Sequence, residues 1–369
     1  MLKRIQIKNF KALKNADLDL ARLNLLAGLN GMGKSSLIQM LLLLKQSNSR
    51  LDQGTLNLNS RDFVALGKGR DVFYQYSDDQ YISFRIENEN GIACQWNFEY
   101  QADREILLSE EKYNFTDLAK NFTLFTENFQ YLNAERIGPQ HSYVSSSTHI
   151  ETLKQIGSKG EYAVHYLNVF GTGERIESEI LHHPAARSKT ILHEVDAWLG
   201  EISPGTKLNT TEVPGTEMVL LDIQFETKLD FTNRFRPVNV GFGISFVLPV
   251  ILALLLSKKD RLIIIENPEA HLHPRGQAEL GKLIALAARA GAQLIVETHS
   301  DHILNGIRVA VKNNVIPKED ARIYFFDRKT TDFEQYSFVT PIKIDQNGEL
   351  SEYPTNFLDE WNNQLLKLI

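Results

Sequence analysis

One stretch restricts what this chain can become: Gly28-Leu29-Asn30-Gly31-Met32-Gly33-Lys34-Ser35-Ser36. It fits the pattern G-x-x-x-x-G-K-[ST] without a gap, and its flanks fit as well. Leu23 to Ala27 before it reads as a buried strand, and Leu37 to Lys45 after it reads as a buried helix. Strand, glycine loop and helix in that order make a phosphate cradle. Glycines reach φ values that a Cβ forbids, so backbone N–H groups can turn inward, and the helix start adds partial positive charge. In such a loop Gly28, Asn30, Gly31, Gly33 and Ser36 line the phosphates. Lys34 reaches the β- and γ-phosphates, and the Ser35 hydroxyl sits on Mg2+.

Composition narrows the class further. At 369 residues the chain is long for one domain, which points to two lobes or to one α/β domain with large insertions. A formal net charge of -6 offers no global basic field for nucleic acid. Cys94 is the one cysteine, so no internal disulfide can form, which fits a reducing cytoplasm. Met1 to Ile7 alternates like a strand and lacks the apolar core of a signal peptide. The most apolar later run, Ile244 to Ser257, falls short of the roughly 20 residues a bilayer crossing needs. It reads as a core helix interrupted by Pro249, and no membrane association is expected.

Along the chain, residues 2–27 read as two or three strands with a turn at Lys8 to Leu13. Gly54 to Gln101 reads as strands and turns. The clearest is a hairpin of Tyr81–Ile86 against Ile92–Phe98 across Asn88-Glu89-Asn90-Gly91. Residues 103–127 are charged and partly helical, Phe129 to Leu132 is a strand, and Gln140 to Thr148 is loop-like. Helices are expected near 159–169 and 187–200, and a strand near Met218 to Phe225. In the last third, buried strands at 261–265 and 293–296 alternate with helices at 275–289 and 301–313. Strands follow near 322–326 and 336–339, then a closing helix at 356–361. Buried strand–helix units imply a mainly parallel sheet.

Three further clusters carry chemistry. Glu266-Asn267-Pro268-Glu269 follows an apolar strand, where a carboxylate can meet the Mg2+ that Ser35 holds, which makes Glu266 the metal acid. His271 and His273 come next, but their spacing is not that of a zinc site. His299, in Glu297-Thr298-His299-Ser300, follows the next buried strand and can hydrogen-bond a γ-phosphate. Gly241-Phe242-Gly243-Ile244-Ser245 opens the apolar helix and offers an anion-accepting N-terminus.

Taken in order, these strings resemble the ABC-type ATPase heads of the RecF and SMC kind, an OLD-like clade. The chain looks most like bacterial AAA family ATP-binding proteins that carry a C-terminal domain of unknown function. Asn133-Ala134-Glu135-Arg136-Ile137-Gly138-Pro139 and Tyr353-Pro354-Thr355-Asn356-Phe357-Leu358-Asp359 also look familial. The resemblance implies an α/β head with a mixed, mainly parallel core sheet, an N-terminal antiparallel β lobe and a helical insertion. It implies one head over 1–369. Its parts are a P-loop and β lobe at 1–135, a mostly helical insertion at 136–235, a signature, Walker B and switch-histidine lobe at 236–330, and a tail at 331–369. It further implies a homodimer closing on ATP and Mg2+, with Gly243 and Ser245 touching the γ-phosphate in trans and His299 as switch histidine. Gln46 or Gln140 would sense Mg2+. Such heads often serve DNA repair or anti-phage defence, with a nuclease or toxin-like effector.

The chain departs from that pattern in three places. A Leu-Ser-Gly-Gly signature is absent, and so is a long heptad region between residues 46 and 240. Asn267 stands where a catalytic glutamate usually follows the Walker B acid, and a neutral amide cannot accept a proton at neutral pH. Glu269 is then the expected base, with Asn267 orienting water and His299 as the second candidate. Three functions remain open: an ATP-driven switch, a RecF-type DNA-binding ATPase, and a nucleotide-dependent structural module. A basic stripe from Arg61, Lys68, Arg70, Lys154 and Lys159 would favour DNA.

Overall fold

The computed structural model describes residues 1–109, 115–355, 357 and 364–368. Part of the charged 103–127 stretch, and the closing helix expected at 356–361 apart from Phe357, lie outside the described residues. Two compact units share the chain. The first holds 1–126, 321–344 and 350–369, and the second holds 127–320 and 345–349.

In the first unit, alternation of apolar and polar residues, broken at Lys3-Arg4, Lys8-Asn9 and Lys14-Asn15, makes β1 (Leu2–Phe10) and β2 (Leu13–Asp19), paired antiparallel with Ile5 opposite Leu18. β3 (Leu23–Ala27) is buried along its whole length and delivers the chain to the glycine loop and α1 (Lys34–Gln46). Next come β4 (Thr55–Asn57), α2 (Gly69–Val72), β5 (Tyr81–Asn88), β6 (Ala93–Glu99), β7 (Ile106–Leu108) and α3 (Phe115–Ala119). The expected hairpin is β5–β6, with Phe84 opposite Trp96 and Ile86 opposite Cys94. The Phe84 ring packs edge to face with Phe10 of β1 and with Phe98 of β6.

The second unit begins with β8 (Phe129–Leu132) and β9 (Tyr143–Val144). It continues through α4 (Ala163–Phe170), α5 (Ile191–Ile202), β10 (Thr206–Glu212) and β11 (Met218–Phe225). Then come α6 (Phe242–Leu255), β12 (Leu262–Glu266), α7 (Pro274–Arg289), β13 (Gln293–Glu297) and α8 (Asp301–Lys312). β12 runs parallel to both β8 and β13. Uninterrupted apolar sequence suits such strands, which are covered on both faces. The 136–235 segment, expected to be mostly helical, holds α4 and α5 but also an antiparallel sheet in the order β10-β11-β9. Thr206–Glu212 is hard to read as a strand because its one apolar side chain is Leu208.

The chain returns to the first unit as the antiparallel pair β14 (Ala321–Thr330) and β15 (Gln335–Lys343). β14 lies parallel to β3, and β15 meets β2 in parallel at Ser337 and Leu13. The fold is therefore mixed α/β: parallel at the strands that end in the motif loops, antiparallel in the N-terminal lobe. Among the described residues, no helix is long and apolar enough to cross a membrane. The longest of them is α7.

Candidate functional site

The glycine loop sits between β3 and α1. Gly28, Gly31 and Gly33 hold φ values of 136°, 77° and 97°, in the region that favours glycine. Gly28 has a second constraint: a Cβ there would stand 2.3 Å from the Phe326 carbonyl oxygen of β14. Lys34 is 3% exposed, and its Nζ donates to the carbonyls of Gly28 at 2.7 Å and Leu29 at 2.9 Å. Its ammonium is thus curled into the loop it belongs to. Ser36 is buried, while Asn30 and Gly31 are exposed. β14 contributes a residue that sequence reasoning missed. Arg328 Nη2 donates to the Gly31 carbonyl at 2.7 Å, and only strand pairing brings that side chain to the loop.

The acid turn lies in the second unit. The Glu266 carboxylate at the end of β12 accepts the Tyr131 hydroxyl at 2.9 Å. Burial pushes its pKa up, opposed by Tyr131, the Ala134 N–H and the charge of Arg136. Asn267 has φ 45° and donates its N–H to the Glu297 carbonyl at 2.8 Å. Left-handed backbone is tolerated by asparagine better than by most residues, which gives this position a structural reason to hold one. Glu269 accepts the His299 N–H on Oε1 at 2.7 Å. Its Oε2 and the Asn267 Oδ1 are buried with no hydrogen-bond partner among the described residues. Two orphaned polar atoms on one turn suit a site that handles water or phosphate. Acid turn and His299 loop are therefore brought together, as expected.

Arg136 is the second residue that sequence reasoning left without a role. It is 3% exposed and donates to four backbone carbonyls, those of Asn133, Phe246, Glu266 and Asn267. Burial pushes its pKa down to about 10, opposed by the charges of Glu269 and Glu266, so it stays protonated at neutral pH. The string around it pointed to this position; nothing local to it names the carbonyls it meets.

At the start of α6, Gly243 lies so close to the acid turn that a Cβ would stand 2.7 Å from the His271 carbonyl oxygen. Phe242 is 59% exposed, whereas Ser245 is 4% exposed and faces inward. Of the two histidines after the turn, His273 caps α7 by accepting the Arg275 N–H, and the His271 ring packs 4.5 Å from that of Phe246.

Gln46 does not fit the role of Mg2+ sensor. It ends α1, eleven residues past Ser35, which is about 16 Å along a helix. Its amide is engaged at both ends, donating to the Asn57 carbonyl and accepting the Val64 N–H. Gln140 is exposed on the loop before β9. The cations considered for a DNA-binding stripe are divided between the units and partly engaged. Arg70 pairs with Asp103 at 3.0 Å, Lys159 with Glu135 at 3.2 Å, and Lys154 Nζ lies 4.7 Å from the centroid of the Phe170 ring.

Comparison with known proteins bears on the family and the fold. Residues 23–305 match the family described as "AAA domain, putative AbiEii toxin, Type IV TA system". Residues 316–368 match "Protein of unknown function (DUF3696)". The chain is 22% identical over 329 residues to the OLD nuclease of Thermus scotoductus. That match covers 81% of this chain and 59% of the relative, so the chain spans only part of that protein's length. Among solved structures, the SMC head bound to the C-winged helix domain of ScpA has a TM-score of 0.51 at 13% identity, covering 92% of this chain and 98% of that one. The SMC head with an extended coiled coil bound to the C-terminal domain of ScpA, from Pyrococcus furiosus, also has a TM-score of 0.51, at 11% identity, covering 100% and 99%. At such identities the likeness is one of fold.

Proposed function

The chain belongs to the family described as "AAA domain, putative AbiEii toxin, Type IV TA system", and on that premise we propose that it binds ATP with Mg2+, hydrolyses it slowly, and works as a homodimeric switch on a protein effector. The observation that carries this reading is the phosphate loop, whose glycines take φ values closed to most residues around the buried ammonium of Lys34. The donor set fits the ligands: backbone N–H groups and Lys34 for phosphate, a hydroxyl and a carboxylate for a hard cation. Ser35 and Glu266 are the proposed magnesium ligands, and the cation would neutralise charge on the β- and γ-phosphates.

In the proposed reaction, water attacks the γ-phosphorus, the bond to the ADP oxygen breaks, and the water proton passes to Glu269 Oε2. That oxygen is the one not committed to the His299 N–H. The Asn267 amide cannot take the proton but can orient the water through Oδ1. The His299 side chain contacts the γ-phosphate. A base three residues beyond the metal acid, on a turn fixed by other contacts, supports slow turnover. The α6 start, at Gly243 with Ser245 behind it, is the proposed trans contact in the closed dimer.

The whole is read as one ATPase head, working in the cytoplasm in bacterial defence or DNA maintenance. Two relatives support an effector partner: one is named a nuclease, and the SMC heads were solved with ScpA bound. Sedimentation with and without a non-hydrolysable ATP analogue, together with steady-state phosphate release, tests the reading. The expected outcome is a nucleotide-dependent gain in mass with slow phosphate release. A protein that binds no nucleotide sinks it.

A further inference from the structure

Four carbonyls around the acid turn converge on one side chain. Arg136 Nη1 donates to Asn133 O at 3.0 Å and Glu266 O at 2.6 Å, Nη2 to Asn267 O at 2.6 Å, and Nε to Phe246 O at 3.1 Å. A guanidinium is a rigid planar fork, so these bonds fix the relative positions of the groups that accept them. Those groups belong to three elements: the end of β8, the acid turn after β12, and the early part of α6.

The start of α6 needs such a tie. Pro249 lies inside the helix and has no N–H, so the Ser245 carbonyl lacks its usual helical donor, and the proline ring crowds that carbonyl. The first turn is therefore joined to the rest of α6 by one ladder bond fewer than in an uninterrupted helix. Arg136 takes the next carbonyl, Phe246, and binds it to the same guanidinium that holds Glu266 and Asn267. Gly243 against the His271 carbonyl and the Phe246 ring against His271 make a second contact between the two segments. The acid turn in turn carries Glu269, whose Oε1 is tied to the His299 N–H.

We infer that Arg136 is a positioning residue that sets the placement of Glu269 from the position of the α6 start. Anything that draws on that start, such as a second copy or its nucleotide, then reaches the proton acceptor through the Glu266 and Asn267 carbonyls. The inference rests on the ATPase reading above and adds to it a route of regulation.

The test compares full-length wild type, Arg136→Lys and Arg136→Met, each with and without Glu269→Gln. Phosphate release gives kcat and KM, a fluorescent ATP analogue gives affinity, and melting curves show which variants fold. Arg136→Met should lower kcat about 30-fold while affinity stays within about threefold, because the phosphate loop is unaltered. Arg136→Lys, an ammonium that reaches fewer carbonyls, should restore kcat to within about tenfold of wild type. Adding Glu269→Gln should cost the Arg136→Met variant less than about threefold more, since residues acting as a unit are non-additive. Turnover within about threefold of wild type in Arg136→Met, or two losses that multiply, overturns the inference.

If Arg136→Met does not fold, the Arg136→Lys, Glu269→Gln double variant should turn over within about threefold of Glu269→Gln alone, and losses that multiply overturn the inference. If wild type does not hydrolyse ATP, the functional reading fails separately, and hydrogen exchange without nucleotide decides the clamp. Arg136→Lys should then raise exchange of amides 242–248 and 266–272 together. No rise, or a rise confined to one segment, overturns it.

Discussion

The phosphate loop and the acid turn are both short loops at the ends of buried strands, but they are held in different ways. The phosphate loop is held mostly by itself. Its glycines supply the φ values, Lys34 bonds carbonyls five and six residues back, and β14 adds Arg328. The acid turn depends on distant chain. Arg136, 130 and 131 residues away, holds its carbonyls, and the His299 N–H, 30 residues on, holds Glu269. A loop held by its own residues can be recognised from a motif and should tolerate change elsewhere. A turn held from outside can be retuned by residues that never touch the ligand.

The largest expected effect breaks the phosphate loop. Lys34→Ala removes the cation facing the β/γ charge and should cut hydrolysis at least about 100-fold, with a loss of nucleotide affinity in the same titration. Wild-type hydrolysis in that variant would end the assignment. Next comes the acid turn. Glu269→Gln keeps the shape and the Oε1 acceptor but removes the proposed base, so kcat should fall about 100-fold while affinity stays within about threefold. Undiminished turnover would take Glu269 out of the mechanism and leave His299 as the candidate.

A third change lies on α5 and separates stability from chemistry. Burial raises the Asp196 pKa to about 6, with the Leu208 N–H and Lys207 opposing. A carboxyl whose folded pKa is raised favours the folded state below the unfolded value, near 4, and that contribution is lost as pH rises through about 6. Asp196→Asn keeps the Oδ1 acceptor for Leu208 and should stabilise the protein by about 1–3 kcal/mol at pH 8. The gain should disappear below about pH 4, with turnover unchanged. Melting curves at both pH values decide it; a gain at low pH would reverse the assignment.

The smallest effect probes the contrast itself. If Asn267 is present because its backbone is left-handed, then Asn267→Glu should cost about 1 kcal/mol and leave turnover no faster. If the position only lacks a base, the same variant should gain turnover several-fold. Parallel melting and phosphate-release measurements separate the two, and a faster enzyme would mean that the turn is less constrained than its hydrogen bonds indicate.

By itself, the sequence determined the phosphate loop, the buried strands that lead into the loops, and the β5–β6 hairpin. Each depends on residues adjacent in the chain: glycines where φ must be positive, apolar runs where both faces are covered, and Asn-Gly where a turn must form. Only the tertiary structure decided that Arg136 clamps the acid turn, that Asn267 sits left-handed under it, and that Arg328 reaches the loop. Tertiary structure also removed Gln46 from the site, since its amide is taken by the Asn57 carbonyl and the Val64 N–H. These features arise where segments far apart in sequence meet, and no local spacing encodes which carbonyl a buried guanidinium will find.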